Sequence, residues 1–218
     1  MKRLIISILA LFLTFSLFAQ TEKRNGVVID KGAQKIVGNV VAQMKKDTPF
    51  SFAFTYDIQE NNAKQKGKGT FISNNSKYSV VTDQFSYISN GTTMWNYNTK
   101  TNEVEVMDAE DGNTMFNFTK IIGNSLKNFR PKLIRQEKFG GVNCNIVDLT
   151  PMKSSAISKI RIYASATNNR LHKMEISTYE GAKYIYTFSN YKPNISVTSS
   201  TFTFDKTKHL KVKVVDLR

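Results

Sequence analysis

Between residues 50 and 190 the hydrophobic pattern keeps returning to a period of two and leaves it only once, which commits the chain to antiparallel strands joined by short turns. In the first such segment Phe50, Phe52, Phe54, Tyr56 and Ile58 point one way, while Ser51, Ala53, Thr55 and Asp57 point the other. Further segments follow at 69–73, 77–81, 84–88, 92–97 and 103–107, each bounded by Gly, Asn, Ser or Lys. They resume at 133–138, 142–149, 157–164, 170–178 and 182–190, between turn pairs such as Gly140-Gly141, Asn168-Asn169 and Glu180-Gly181. Strand-like segments at 201–204 and 211–215 close the pattern. Helical spacing occurs twice. Ala33, Ile36, Val37, Val40, Val41 and Met44 predict an amphipathic helix over 30–46, capped by Asp30 and ended by Pro49. Met115, Phe118, Ile122, Leu126 and Phe129 predict a second over 113–130, capped by Asp111 or Asn113 and stopped by Pro131.

Ten or so antiparallel strands do not stay flat, so the expected fold is mainly β with α, a sheet curled into a barrel or partial barrel. Such a sheet has a concave face, and the two helices are available to cover it. Alternation alone does not say which strand face is concave. Nor does it say whether the helix stripes meet that face as a dry core or enclose space for a guest. With no linker, repeat or low-complexity tract, residues 20–218 read as a single domain.

Residues 1–19 read differently. Lys2 and Arg3 precede an apolar run over 4–18 broken only by Ser7, Thr14 and Ser16, and Ala19 follows it. The run is shorter than the roughly 20 residues a bilayer span needs, which is the pattern of a secretory signal peptide cleaved after Ala19. The mature chain is then exported and basic, the whole sequence carrying a formal charge of +14. An exported chain with no helix-turn-helix, zinc-finger or RNA-binding motif is not expected to bind nucleic acid. The cations cluster at Lys127, Arg130, Lys132, Arg135 and Lys138, and again at Lys206, Lys208, Lys211 and Lys213. Such clusters form a solvated face or dock on an anionic membrane or an acidic partner.

Several chemistries are excluded by what the sequence lacks. One Cys forbids an intramolecular disulfide, and one Cys with two distant His gives no zinc cluster. His172 lies in a strand pattern, His209 in a basic tail, and no G-x-S-x-G occurs, so no hydrolase triad is expected. Gly67-Lys68-Gly69-Thr70 lacks the spacing of a phosphate loop and reads as a hairpin or bulge. The acids Glu103, Glu105, Asp108, Glu110 and Asp111 lack the spacing of a calcium loop and read as solvated charges and a helix cap. Cys144, with no activating neighbour in its strand, reads as a small apolar side chain. Neither an enzymatic activity nor a cofactor is expected.

The segment Ser89-Asn90-Gly91-Thr92-Thr93-Met94-Trp95-Asn96-Tyr97-Asn98 resembles the S-D-G-x-x-x-W-x-Y-N hairpin of the outer-membrane lipoprotein carrier family, the LolA-like periplasmic chaperones. Residues 67–78 resemble the preceding G-x-G-x-hydrophobic hairpin of that family. Gly112-Asn113-Thr114-Met115-Phe116 resembles the opening of its central lid helix, and Thr201-Phe202-Thr203-Phe204 its closing F-x-F motif. The resemblance implies an incomplete antiparallel barrel whose concave apolar surface is covered by helices. It implies a periplasmic, monomeric carrier of lipoprotein acyl chains or a related lipid, exchanging cargo with inner-membrane and outer-membrane lipoprotein-sorting proteins. The cavity residues expected on this basis are Phe52, Phe54, Tyr56, Tyr78, Trp95 and Tyr97, with Met115, Phe118, Ile122 and Leu126 on the lid. A lipid- or lipoprotein-sensing regulatory module on the same fold is the alternative. Where the best-known branch has a lid-latching Arg-Pro, this chain has Asn74-Asn75, and where the closing motif is normally followed by Pro-Pro it has Asp205-Lys206.

Overall fold

A computed structural model describes residues 21–24, 27–110 and 115–218. The segment read as a signal peptide lies outside the described residues, as do Asp111 and Asn113, the proposed caps of the second helix.

Strands β1 (Thr21–Arg24) and β2 (Val27–Asp30) pair antiparallel and lead into α1 (Lys31–Asp47). Asp30 holds this junction with both carboxylate oxygens. Oδ1 accepts from Ala33 N at 2.8 Å, capping the helix as its position predicts, and Oδ2 accepts from Leu133 N at 2.9 Å. Ala33, Val37 and Val40 are buried on the inner face of the helix, where Ile36, Val41 and Met44 also pack.

The remaining strands build one twelve-stranded sheet. A meander runs through β3 (Phe50–Glu60), β4 (Ala63–Asn74), β5 (Lys77–Thr82), β6 (Phe85–Ser89), β7 (Thr93–Asn98) and β8 (Glu103–Asp108). A second runs through β9 (Phe129–Phe139), β10 (Val142–Pro151), β11 (Ile157–Ser165), β12 (Leu171–Thr178) and β13 (Lys183–Lys192). β13 returns to pair with β3, joining the two meanders, and β14 (Lys213–Asp216) adds to β8 in parallel. The order β14-β8-β7-β6-β5-β4-β3-β13-β12-β11-β10-β9 does not close on itself: the sheet is a curved, incomplete barrel.

β9 is one open edge, and it carries much of the first basic cluster, with Arg130, Lys132, Arg135 and Lys138 exposed along it. Charge on an edge strand opposes pairing with another chain. Pro131 also sits in this edge strand, where a missing N–H is tolerated.

Three local expectations are corrected. The second helix is not continuous: residues 115–117 are non-helical, α2 (Phe118–Gly123) and the single turn α3 (Ser125–Asn128) are separated at Asn124, and β9 has begun before Pro131 is reached. Asn117 caps α2, accepting from Lys120 N at 3.0 Å, and Ser125 Oγ donates to Ile122 O at 2.6 Å at the break. Residues 201–204 form no strand. Ser199–Phe202 is a 3-10 turn in which Thr198 N donates to Thr201 Oγ1 at 3.3 Å, while Phe202 and Phe204 are buried.

The third correction concerns Gly67 and Gly69, which lie inside β4 and not in a hairpin or bulge. They stand opposite Tyr56 and Phe54. A Cβ on Gly67 would strike the Tyr56 ring and hydroxyl; one on Gly69 would lie 2.7 Å from Val81 O and 2.8 Å from Phe54 Cζ. The glycines leave room for the two rings to lie across the neighbouring strand. Gly69→Ala therefore lowers the unfolding free energy by about 1–3 kcal/mol, because a backbone oxygen cannot step aside. Gly123→Ala, with nothing within 4 Å of its Cβ, leaves stability unchanged or raises it by up to about 1 kcal/mol. Urea titration of both variants measures this, and a Gly69→Ala protein as stable as wild type would contradict the close approach.

Candidate functional site

Strand register traces the concave face row by row. One row runs Val147, Ile162, Met174, Tyr186, Tyr56, Gly67 across β10, β11, β12, β13, β3 and β4. The next useful row runs Phe52, Phe71, Val80, Tyr87, Asn96, Glu105 across β3 to β8. The face is thus aliphatic on β10–β12, aromatic around the β13–β3–β4 junction and increasingly polar toward β8. Alternation in β3 places Phe50, Phe52, Phe54 and Tyr56 together on it, and all four are buried.

The aromatic part of the face is filled, while a cleft of about 460 Å³ lies beside α2 and α3, bordered by Ile121, Phe129, Ile157 and Ile160. Residues 115–123 lie over its aromatic part and drive two rings into it. Phe118 packs with ring centroids 5.6 Å from Phe52, 5.4 Å from Phe54, 5.2 Å from Phe71, 5.0 Å from Tyr186 and 5.2 Å from Phe188. Phe116 lies 4.8 Å from Phe85, 5.3 Å from Tyr186 and 5.6 Å from Tyr56. Where Phe50, Phe52, Phe118 and Phe188 meet, only about 20 Å³ is free, room for about one water molecule. A larger cleft of about 210 Å³ opens between α1 and α2, bordered by Val41, Met44, Phe50, Ser73 and Thr119.

The dryness of the face shows in its tyrosines. Burial pushes the Tyr78 phenol up to about 12 and that of Tyr186 well above its ordinary value. The Tyr186 hydroxyl is buried without a hydrogen-bond partner, and Tyr78 Oη makes a 3.0 Å contact with Met94 Sδ.

Residues 115–128 are tied to the sheet by hydrogen bonds as well as by their buried rings. Thr119 Oγ1 and Ser73 Oγ lie 3.1 Å apart, joining α2 to β4 immediately before Asn74-Asn75. Met152 N donates to Asn128 O at 2.9 Å behind α3. Helical pieces as short as α2 and α3 have little stability of their own, so the shape of the lid depends on the rings seated beneath it.

The expected site residues divide by face. Phe52, Phe54, Tyr56 and Tyr78 line the concave side. Trp95 and Tyr97 do not join them. They project from the opposite face of β7, where Tyr97 lies 5.2 Å from Phe204 and 4.3 Å from His209 under the C-terminal segment. Their neighbour Met94 is the residue of that strand that reaches the concave core. On the lid, Phe118 and Ile122 are buried and Met115 packs at the margin of the core. Leu126 is not part of the buried stripe. The break at Asn124 turns it outward, 41% exposed, with Cδ1 3.8 Å from where a Cβ on Gly38 of α1 would sit.

Sequence reasoning missed Phe116, because a helical period separates it from Phe118, whereas the non-helical chain before α2 brings both rings down together. Phe50, Phe71, Tyr186 and Phe188 were also missed. Their signal was present as period-two alternation in β3, β4 and β13. Cys144 is buried in a separate cluster with Ile146 and Tyr163, and burial pushes its thiol up. Among the described residues no group of three or more His, Cys, Asp or Glu could hold a metal ion, and no helix is long and apolar enough to cross a membrane.

Comparison with solved structures places this architecture among known folds. An uncharacterized conserved protein from Thermus thermophilus superposes with a TM-score of 0.59 at 11% identity, covering 85% of this chain and 99% of that one. The Mycobacterium tuberculosis lipoprotein LppX superposes with a TM-score of 0.51 at 11% identity, covering 78% of this chain and all of LppX. At these identities the likeness is one of fold. A search of curated protein sequences gave no match. Residues 48–205, from the turn before β3 to the segment beyond the 3-10 turn, match the family model described as outer membrane lipoprotein carrier protein LolA, and the chain belongs to that family.

Proposed function

We propose that this protein is an exported periplasmic carrier, cleaved after Ala19, whose single domain shields lipoprotein acyl chains on the concave face and delivers them toward the outer membrane. It works as a monomer that receives cargo from inner-membrane sorting proteins and passes it to outer-membrane ones, with no chemical step and no cofactor. Phe52, Phe54, Tyr56 and Tyr78 contact the tail, and Met115, Phe118 and Ile122, with Phe116, form the lid.

The observation that carries this reading is the aromatic face covered by Phe116 and Phe118 on a segment of two short helical pieces. Burying one Phe side chain stabilises by about 1.5–3 kcal/mol, so withdrawing both rings costs about 3–6 kcal/mol. An acyl chain of about fifteen methylenes gains ~12 kcal/mol on leaving water, at ~0.8 kcal/mol each. The rings therefore outcompete water for the face, and a lipid tail otherwise exposed to water outcompetes the rings. A cover of that intermediate strength keeps the empty carrier from exposing a sticky patch and yields when cargo arrives.

Two expected outcomes follow. Wild-type protein extracts a fluorescent lipopeptide from vesicles. The Ser73→Cys/Thr119→Cys protein, oxidised to staple α2 onto β4, extracts none until it is reduced; extraction by the stapled form, or none by wild type, would contradict the reading. Phe118→Ala lowers the unfolding free energy by about 3–5 kcal/mol and yet tightens lipopeptide binding, because less of the cover has to be displaced. Urea titration and fluorescence binding on the same preparation check both halves, and weakened binding would mark Phe118 as an ordinary core residue.

A further inference from the structure

Near the start of β3 the aromatic face reaches the surface beside an unusual arginine. Arg170, in the turn before β12, lays its guanidinium over the ring of Tyr191, 4.5 Å from the centroid. Tyr191 in turn stacks on Phe50 at 5.4 Å and on Phe52 at 6.4 Å. A ladder of flat groups thus runs from the guanidinium down to Phe118. Arg170 Nη2 reaches Asp47 Oδ2 at 3.5 Å, long for a charge-assisted bond, which is ordinarily about 2.7–2.9 Å. The other oxygen of Asp47 accepts from Gln43 Nε2 at 2.8 Å. Arg170 Nε is buried with no hydrogen-bond partner, and the small cleft that Phe118, Leu171 and Phe188 border lies against it.

A buried donor on a charged group that bonds to nothing weakens the fold, and such groups recur where a ligand atom completes them. The chemistry of that atom is constrained. Arg170 and Asp47 sum to no net charge, and the Asp47 carboxylate repels a phosphate or carboxylate brought close, so the fitting acceptor is uncharged. The cleft beside it is walled mostly by rings and aliphatic chains, with Gln43 and Asn169 also lining it. An uncharged carbonyl oxygen joined directly to an apolar chain satisfies both halves of the site.

We infer that Arg170 is a head-group site that takes the ester carbonyl of a diacylglyceryl lipid, whose chain then runs past Tyr191 into the space Phe118 occupies in the closed form. The inference rests on the carrier reading and specifies which end of the cargo enters where. Bonding the carbonyl to Nε leaves the Asp47 contact in place.

The test compares a dipalmitoylglyceryl lipopeptide with its dihexadecyl ether analogue, which has tails of the same length and lacks only the two ester carbonyls. Wild-type protein is expected to bind the ester at least about tenfold more tightly, the usual scale for a bond to a charged donor. Arg170→Met removes that preference by weakening the ester while changing the ether less than about twofold. If Arg170→Met lacks the wild-type near-ultraviolet circular dichroism, the double variant Asp47→Asn/Arg170→Met, which removes the donor and the carboxylate it pairs with together, serves for the same comparison. Equal wild-type affinity for the two probes overturns the head-group site and leaves the carrier reading standing; equal weakening of both probes by either variant also overturns it. Failure of wild type to bind either probe overturns both. A soluble short-chain diacyl phosphatidylglycerol, itself an ester, separates the sources: with the ester preference intact, competition assigns the site to any diacylglyceryl lipid and lack of competition to the acylated cysteine alone, each supporting the carbonyl contact.

Discussion

A sheet that turns this many aromatic rings to one side cannot leave them in water. The row from Phe50 to Tyr56, with Phe71, Tyr186 and Phe188 beside it, forms a continuous apolar surface, and a patch of that kind exposed on a soluble protein draws other proteins to it. The chain answers with Phe116 and Phe118, delivered by a segment too short to be a self-sufficient helix. Ring packing seats the cover alongside the Thr119–Ser73 hydrogen bond, and packing is a force that another apolar group can match. In the proposed function, the same physics that closes the face makes the closure exchangeable.

The rest of the architecture serves that face. Gly67 and Gly69 let the Tyr56 and Phe54 rings spread across β4, which keeps the aromatic junction thin enough for a lid to sit on. Asp30 ties α1 to β9 through one carboxylate, so the helix that flanks residues 115–128 is fixed to an edge of the sheet. Pairing of β13 with β3 brings residues far apart in the chain into a single aromatic surface.

Much of the fold was legible because alternation and capping are local. Asp30 announces α1, and Phe50, Phe52, Phe54 and Tyr56 announce both a strand and its apolar side. What local pattern cannot convey is which side of a distant strand faces inward. Trp95 and Tyr97 are large, apolar and alternate correctly, yet the C-terminal segment with Phe204 and His209 covers them from outside, and only register across β4 to β7 reveals it. The lid shows the complementary limit. Met115, Phe118, Ile122 and Leu126 keep helical spacing on paper, but a break at Asn124 and the non-helical chain at Phe116 rearrange who is buried. Hydrophobic spacing reports a helix only where the caps permit one, and Asn117 and Asn124 are such caps.

The central claim is that the Phe118 ring and a lipid tail occupy the same place in turn. Fluorine NMR of the protein carrying 4-fluorophenylalanine at position 118 observes that ring directly. The expected result is a ring-shifted resonance in the ligand-free protein that gives way, in proportion to bound lipopeptide, to one near the solvent-exposed position. A resonance that keeps its buried shift at full lipopeptide occupancy would contradict it.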